Sequence, residues 1–262
     1  MAFPGTVKEL QEIVNSKTMV DDDLLEVLAA DQRVGIQKLY RQLLNRKKAA
    51  QAEKERLAKL FTHERRLGSP EIMIAGVDEA GRGPLAGPVT AAAVILDPQI
   101  LLPGLDDSKK KSPKERELLA GLIQEKSLAF SIGWATVEEI DCLNILQASF
   151  LAMKRAISGL SVKPDHVLVD GWEIKGLGIP QTAVVKGDRV SASIAAASIV
   201  AKVARDQLME EMAELYPQYG FHQHKGYPTK EHYAALAKYG PSPLHRRSFK
   251  GVETAMKTLP FP

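Results

Sequence analysis

The run Ile72-Met73-Ile74-Ala75-Gly76-Val77-Asp78-Glu79-Ala80-Gly81-Arg82-Gly83-Pro84-Leu85-Ala86-Gly87-Pro88 constrains this chain more than any other. Residues 72 to 77 are mostly apolar, as in a strand covered on both faces. Beyond Ala80, three glycines and two prolines stop any regular element. Two adjacent carboxylates, Asp78 and Glu79, stand at the changeover. Side chains alternate along a strand, so the pair acts together only if the backbone turns between or just after them. Glycine permits that turn with little strain. Acids at the end of a buried strand are costly unless paired, hydrogen-bonded or bound to a metal.

The rest of the chain narrows the setting. Its 262 residues allow one or two domains, and a 45% hydrophobic, 26% charged composition is that of a globular protein with a real core. A formal charge of +3 singles out no partner, so the distribution of charge matters more. Cys142 is the only cysteine, which excludes an internal disulfide and a cysteine-rich zinc site. Residues 1 to 15 lack the apolar core of a signal segment. The most apolar long run, Val190 to Ala204, carries Lys202 and is too short to span a bilayer. These features predict a cytoplasmic protein without membrane association.

In chain order, the first region reads as helical. Thr6 and Glu9 have capping-box spacing for a helix over 6 to 16. A second is expected over Asp21 to Ala30, and Asp31 stands where it would cap a third, in which Ile36, Leu39, Tyr40, Leu43 and Leu44 recur at helical spacing. From Lys38 to Arg66 there are ten Lys or Arg against three acids. That segment is either a basic arm touching phosphates or a solvated helix on a linker. Leu67-Gly68-Ser69-Pro70 ends it, so residues 1 to 70 read as an appendage and 71 to 262 as the main domain.

The main domain opens with three strands, 72 to 77, Val89 to Leu96 and Leu128 to Ala135. A helix from Ser112-Pro113 to Lys126 separates the last two. Thr136 and Glu139 form another capping-box pair, and Asn144 to Leu160 is a helix. Two short strands follow, Val167 to Asp170 and Thr182 to Lys186. A long helix rich in Ala and Ser is expected over Ser191 to Tyr216, and another after Thr229. Pro241 to Phe249 reads as a basic tail. Three strands followed by alternating helix and strand predict an α/β fold, a mixed sheet with helices on its faces.

Asp78, Glu79, Asp170 and Asp188 each sit where a buried strand meets a glycine. Singly, such acids are ordinary turn or helix-start residues. If they cluster, the first, fourth and fifth strands lie side by side. An all-oxygen donor set favours Mg²⁺ or Mn²⁺. Two such ions activate water and stabilise the leaving oxygen of a phosphodiester.

Asp78-Glu79-Ala80-Gly81-Arg82-Gly83 resembles the signature of ribonuclease HII, the type 2 ribonuclease H. The resemblance continues through Leu105-Asp106-Asp107-Ser108-Lys109-Lys110, Val169-Asp170-Gly171 and Lys186-Gly187-Asp188. It extends over Ser193 to Asp206, His224-Lys225-Gly226-Tyr227-Pro228-Thr229 and His245-Arg246-Arg247-Ser248-Phe249. These blocks cover about 71 to 250, and the appendage looks like the helical extension of some bacterial members. The resemblance implies a ribonuclease H-like five-stranded mixed sheet and a metal-dependent endonuclease. Its expected partners are RNA–DNA hybrid duplexes and DNA duplexes with embedded ribonucleotides, and its expected state is a monomer. It would cut 5′ of single ribonucleotides to leave a 3′-hydroxyl and a 5′-phosphate. Asp78, Glu79, Asp170 and Asp188 would be the catalytic acids and hold two Mn²⁺ or Mg²⁺ ions. Gly81, Arg82 and Gly83 would read the ribose 2′-hydroxyl through their backbone, and Tyr227 would stack on the next sugar. Lys109, Lys110, Lys186, Lys225, Arg246 and Arg247 are candidate phosphate contacts. An integrase- or resolvase-type nuclease of the same fold would share the acids without Gly81-Arg82-Gly83 or Tyr227. A non-catalytic nucleic-acid binder would not need all four acids.

Overall fold

The computed structural model describes residues 6–16 and 22–258. Asp21, expected to open the second helix, lies outside the described residues. Contacts divide the chain into two compact units, Met1–Arg56 and Leu57–Pro262.

The first unit is helical. Helix α1 spans Val7–Ser16, α2 Asp22–Ala29 and α3 Val34–Leu60, whose last residues belong to the second unit. The Thr6–Glu9 box forms: the Thr6 N–H donates to Glu9 Oε2 at 2.7 Å and the Glu9 N–H to Thr6 Oγ1 at 3.3 Å. Ile36, Leu39 and Leu43 of α3 pack with Leu10, Leu25 and Leu28, so the helical periodicity has its partner. Asp31 lies ahead of α3. Its carboxylate accepts the Arg33 N–H at 2.9 Å and pairs with the Arg33 guanidinium at 2.7 Å.

In the second unit, α4 (Thr62–Arg66) precedes β1 (Ile74–Ala80) and β2 (Val89–Ile95). Then come α5 (Pro113–Lys126), β3 (Ala129–Ala135), α6 (Val137–Leu143), α7 (Ile145–Ser158), β4 (His166–Asp170) and β5 (Gln181–Val184). Helices α8 (Ala192–Leu215), α9 (Phe221–His224), α10 (Lys230–Tyr239) and α11 (Lys250–Thr258) complete it. Capping boxes start α5 at Ser112/Glu115 and α6 at Thr136/Glu139. Helix α11 was not expected from the sequence.

The sheet order is β3-β2-β1-β4-β5. β1, β2 and β3 form an antiparallel meander, whereas β4 and β5 add parallel to β1. Alternation decides which helix each strand residue meets. Ala92 and Val94 of β2 pack with α8 and α5, while Ala91 and Ala93 pack with α7. Gly76 of β1 shows how close α8 comes: a β-carbon there would sit 2.1 Å from the Ser193 carbonyl carbon. The small residues at the start of α8 make that approach sterically feasible, and Ala192 to Ala201 are all buried.

Residues 57 to 66 pack within the second unit. Leu57, Leu60 and Phe61 join the α8–α5 core. Buried Glu64 of α4 accepts the Ser191 hydroxyl at 2.7 Å and the Ser193 N–H at 2.9 Å, satisfying donors at the start of α8. The division at 56/57 and the expected division near 70 therefore differ by a segment that fastens α8. Among the described residues, no helix is long and apolar enough to cross a membrane.

Candidate active site

The central position of β1 sets the site. Its pairing with β2 continues through Asp78↔Ala92 and Glu79↔Ala91 to Ala80↔Thr90, so both acids lie in regular strand. The turn comes just after them, at Gly81, with φ 94°. A β-carbon there would also meet Arg205 Nε at 2.1 Å, so glycine is required twice over. Val77↔Val169 puts Asp170 of β4 beside Asp78, and Asp170↔Val184 adds β5. A single 3₁₀ turn, Gly187–Arg189, then carries Asp188. The first, fourth and fifth strands are thus neighbours, as the repeated acid-glycine ends predict. Asp188 does not cap α8; the Ser191 side chain does.

Asp78, Glu79 and Asp170 line one cavity of about 280 Å³, together with Gly81, Arg82, Gly83, Lys109, Lys202, Arg116 and Tyr227. Its electrostatics are those of crowded like charge. Burial first, then the charges of Glu79 and Asp170, push the Asp78 carboxyl well above the ordinary carboxylate range. Hydrogen bonds from the Ser198 hydroxyl and the Glu79 N–H oppose this. Burial also raises Glu79, against the nearby Arg82 guanidinium, whose Nη1 lies 3.3 Å from Glu79 Oε1. Asp170 Oδ1 accepts the Gly187 N–H at 2.6 Å. Asp188 is outside the cavity lining but within electrostatic reach. Burial, Asp107 and Asp170 raise its carboxyl, and Lys109 Nζ stands 3.9 Å from its Oδ2. Among the described residues no group of three His, Cys, Asp or Glu side chains converges closely enough to hold a metal ion as it stands. The donors are all hard oxygens, and the cost of crowding them is one a divalent cation would relieve.

Two buried arginines hold the loop that follows the acids. Arg246 Nη2 donates to Gly81 O at 2.6 Å and Pro88 O at 3.1 Å, Nη1 to Arg82 O at 3.0 Å, and Nε to Gly87 O at 2.8 Å. Arg205 donates to Pro88 O, Ala86 O and Lys225 O. The loop's carbonyls are therefore turned onto guanidinium groups. Burial and the neighbouring Arg205 push Arg246 down to about 9, so it stays charged at neutral pH. Opposite the loop, half-exposed Tyr227 closes the cavity: a β-carbon on Gly83 would lie 3.8 Å from its ring. Lys202 Nζ is 5.5 Å and Arg205 Cζ 5.8 Å from the ring centroid.

The basic residues expected at phosphates divide. Lys109 is exposed and lines the cavity. Lys110 is exposed outside the lining and pairs with Asp106 at 3.1 Å. Lys186 is exposed in a left-handed conformation, φ 55°. Lys225 lines an adjoining hollow of about 410 Å³ and pairs with Glu210 at 3.0 Å. Arg247 is exposed, and its N–H donates to Asp141. Arg246 corrects the expectation: it is wholly buried and holds backbone rather than facing a phosphate. The "basic tail" is accordingly a strap whose His245 and Arg246 face inward while Arg247 stays exposed.

Lys202, Arg116 and Arg205 were not singled out from the sequence. Arg205 and Lys202 lie seven and four residues after Ser198, hence along its side of α8. That periodicity was the available signal.

Comparison with known proteins gives the same reading. The Ribonuclease HII family profile matches residues 75–252, and that of the Ribonuclease HII N-terminal domain matches 6–68. The chain is 59% identical over 204 residues to the Ribonuclease HII of Moorella thermoacetica, covering 78% of this chain and 99% of that one. It is 51% identical over 251 residues to that of Pelotomaculum thermopropionicum, covering 95% and 94%. Among solved structures, the ribonuclease H2 of Pyrococcus horikoshii OT3 superposes with TM-score 0.60 at 27% identity, over 71% of this chain and 98% of that one. The RNase HII of Archaeoglobus fulgidus, solved in complex with PCNA, gives 0.58 at 27% identity, over 68% and 96%. The chain belongs to the ribonuclease HII family and is an endoribonuclease that hydrolyses the RNA strand of RNA–DNA hybrids.

Proposed function

We propose that this enzyme cuts on the 5′ side of ribonucleotides, including single ones embedded in duplex DNA, and leaves a 3′-hydroxyl and a 5′-phosphate. The supporting observation is the composition of one cavity: Asp78, Glu79 and Asp170 share it with the Gly81–Gly83 loop and Tyr227. An integrase- or resolvase-type site has no need of the last two.

Asp78, Glu79, Asp170 and Asp188 would hold two Mg²⁺ or Mn²⁺ ions, for which their hard carboxylate oxygens are the fitting donor type. Such ions supply Lewis acidity to the attacking water and the leaving oxygen. The chain's own groups do the rest. Asp78 and Asp170 concentrate negative charge at the end of two adjacent strands, and Arg82 keeps Glu79 paired until a cation competes for it. The arginine-held loop turns its carbonyls inward, and among the described residues no protein acceptor takes the N–H groups of Arg82 or Gly83. Those donors suit a 2′-hydroxyl. Leaving them unpaired against a deoxyribose would cost about 1–3 kcal/mol each, which separates RNA from DNA. Tyr227 packs on the following sugar, where an added 2′-hydroxyl would be crowded. Lys109, Lys202 and Arg116 offer positive charge to phosphates. The basic helix of the first unit adds phosphate affinity, and the enzyme works as a cytoplasmic monomer.

The test is an end-labelled DNA duplex with one ribonucleotide, with Mg²⁺ or Mn²⁺ or with chelator. One cut 5′ of the ribonucleotide, dependent on the cation and absent from the all-DNA duplex, is expected. Cleavage of the all-DNA duplex, or a cyclic phosphate end, would overturn the reading.

A further inference from the structure

Three histidines lie buried beneath the site: His224, His232 and His245. None touches the cavity of the acids. Their hydrogen bonds fix their protonation from two ends. His232 Nδ1 lies 2.9 Å from the carbonyl oxygen of Tyr227, which can only accept, so Nδ1 carries a proton. At the other end, the Ser242 N–H points at His245 Nδ1 from 2.9 Å, and a backbone N–H can only donate, so that nitrogen carries none. The two rings meet through their Nε2 atoms, 3.0 Å apart. His245 must then donate from Nε2 and His232 must accept there, which a neutral His232 does. The three bonds agree on one direction: Ser242 to His245, His245 to His232, His232 to Tyr227. A second proton on either ring would set two N–H groups, or an N–H and the Ser242 amide, against each other.

The chain is braced. His224 stacks on His232 with centroids 4.5 Å apart, donates from Nε2 to Tyr219 O at 2.9 Å and accepts the Gly226 N–H at 3.2 Å. Phe221 stands edge-on to both rings. The residue after His245 is Arg246, which holds Gly81 O and Arg82 O, and its own N–H donates to Leu85 O. Consecutive residues of one strap therefore reach the two elements that face each other across the cavity, Tyr227 and the Gly81–Gly83 loop.

We propose that His232 and His245 are positioning residues: their one-way hydrogen-bond chain registers Tyr227 against the arginine-held Gly81–Gly83 loop and thereby sets the preference for a ribonucleotide followed by deoxyribose. The proposal rests on the reading of Tyr227 as the contact to the following sugar. The two elements must read adjacent sugars, and a small displacement of Tyr227 removes that register without touching the acids. Burial supports the assignment, since it disfavours the charged form of both rings and holds His245 down to about 4.

The experiment compares kcat/KM on a duplex with a single ribonucleotide and on a continuous hybrid, for the full chain and for His232→Phe, His232→Asn, His245→Gln and Tyr227→Ala. Their folding is checked by thermal melting. His232→Phe removes the donor to Tyr227, whereas the Asn side chain can still supply one. The ratio of the two activities is expected to fall about fivefold or more in His232→Phe, as in Tyr227→Ala. It should recover in large part in His232→Asn, and His232→Phe should add nothing to Tyr227→Ala in the double variant. ¹⁵N-resolved histidine spectra of the unsubstituted protein should show an Nδ1-protonated ring and an Nε2-protonated ring that exchange slowly. A wild-type ratio in His232→Phe beside a lowered one in Tyr227→Ala overturns this proposal alone, as does a different tautomer pair. An unchanged ratio in Tyr227→Ala overturns the reading of Tyr227 and the selectivity role with it.

Discussion

Two groups of like charge are gathered within a short distance of the Gly81 turn, and the fold treats them in opposite ways. Asp78, Glu79 and Asp170 crowd one another with few donors, and burial raises both β1 acids. Arg205 and Arg246 are also crowded and buried, yet they donate to backbone carbonyls from Gly81, Arg82, Ala86, Gly87, Pro88 and Lys225. The arginines have spent their hydrogen-bonding capacity inside the protein. The acids accept fewer protein donors: the Glu79 N–H and the Ser198 hydroxyl at Asp78, the Gly187 N–H at Asp170 and Arg82 at Glu79. Partner count, more than charge or burial, separates a structural group from a functional one here.

Substitution should expose the difference most strongly. Asp78→Asn and Asp170→Asn are expected to lower hybrid cleavage on the order of 10²–10³-fold while the melting temperature holds or, for Asp78→Asn, rises. Arg246→Met should behave in reverse. Four carbonyls lose a charged donor, so stability should fall by about 3–5 kcal/mol, which is about 10 °C for a unit of this size. If Asp78→Asn melts as low as Arg246→Met, the acids are structural and the comparison breaks.

Titration gives a second contrast. A raised carboxyl keeps its proton in the folded state over a range where the unfolded chain has lost it. Asp78 therefore makes stability fall as pH rises from the ordinary carboxylate value toward its own higher one. His245 has the opposite sign. Burial, then His232 and His224, lower it to about 4, so the unfolded state binds the extra proton between about 6.5 and 4. It contributes about 3 kcal/mol above that window, and the contribution is lost as pH falls through it. Melting curves in chelator, taken as differences from Asp78→Asn and from His245→Gln, should slope in opposite directions. Parallel slopes would mean that one assignment is wrong.

A cation should distinguish the clusters directly. Mg²⁺ or Mn²⁺ at about 100 times its dissociation constant is expected to stabilise the protein by about 2.7 kcal/mol. The effect should vanish in the Asp78→Asn/Asp170→Asn double variant and persist in Arg246→Lys if that variant folds. Equal stabilisation of the double variant would place the cation elsewhere.

Much of this organisation was legible in the sequence because it is local. The Thr6/Glu9 and Thr136/Glu139 boxes are read within four residues, and the repeated acid-glycine ends gave the adjacency of β1, β4 and β5. Arg246 was misjudged as a phosphate contact because its partner Gly81 lies 165 residues away. Glu64 was counted within a basic segment, and its partner Ser191 is 127 residues distant. No local pattern announces such bonds. Glu64 also sharpens the comparison, being an acid on the arginines' side of it: buried, with Oε1 taken by two donors. Glu64→Ala should cost about 1–3 kcal/mol in a melt and leave the activity of the folded fraction near wild type. A loss like that of Asp78→Asn would move it to the catalytic group.

The smallest effect belongs to charges that are neither crowded nor buried. Lys38, Arg41, Lys48 and Lys54 of α3 are exposed, and each adds at most a screened attraction to a phosphate. Removing residues 1–56 is expected to raise KM a few-fold, flatten the salt dependence of binding by about one unit of slope for each phosphate no longer neutralised, and leave the bond cut unchanged. Removing residues 1–70 is a different experiment. It also takes Leu57, Leu60 and Phe61 from the core and Glu64 from the start of α8, the helix that carries Ser198, Lys202 and Arg205. Losing three buried apolar side chains at about 1.5–3 kcal/mol each should make that shorter protein melt far below the 57–262 form. Two truncations that differ by only 14 residues should thus part in stability, although both lose those exposed cations of α3 and the longer deletion takes Lys59, Arg65 and Arg66 as well. If both melt together, residues 57–70 do not fasten α8. If the 57–262 form keeps the full salt slope, the exposed lysines and arginines of α3 are solvated charges and nothing more.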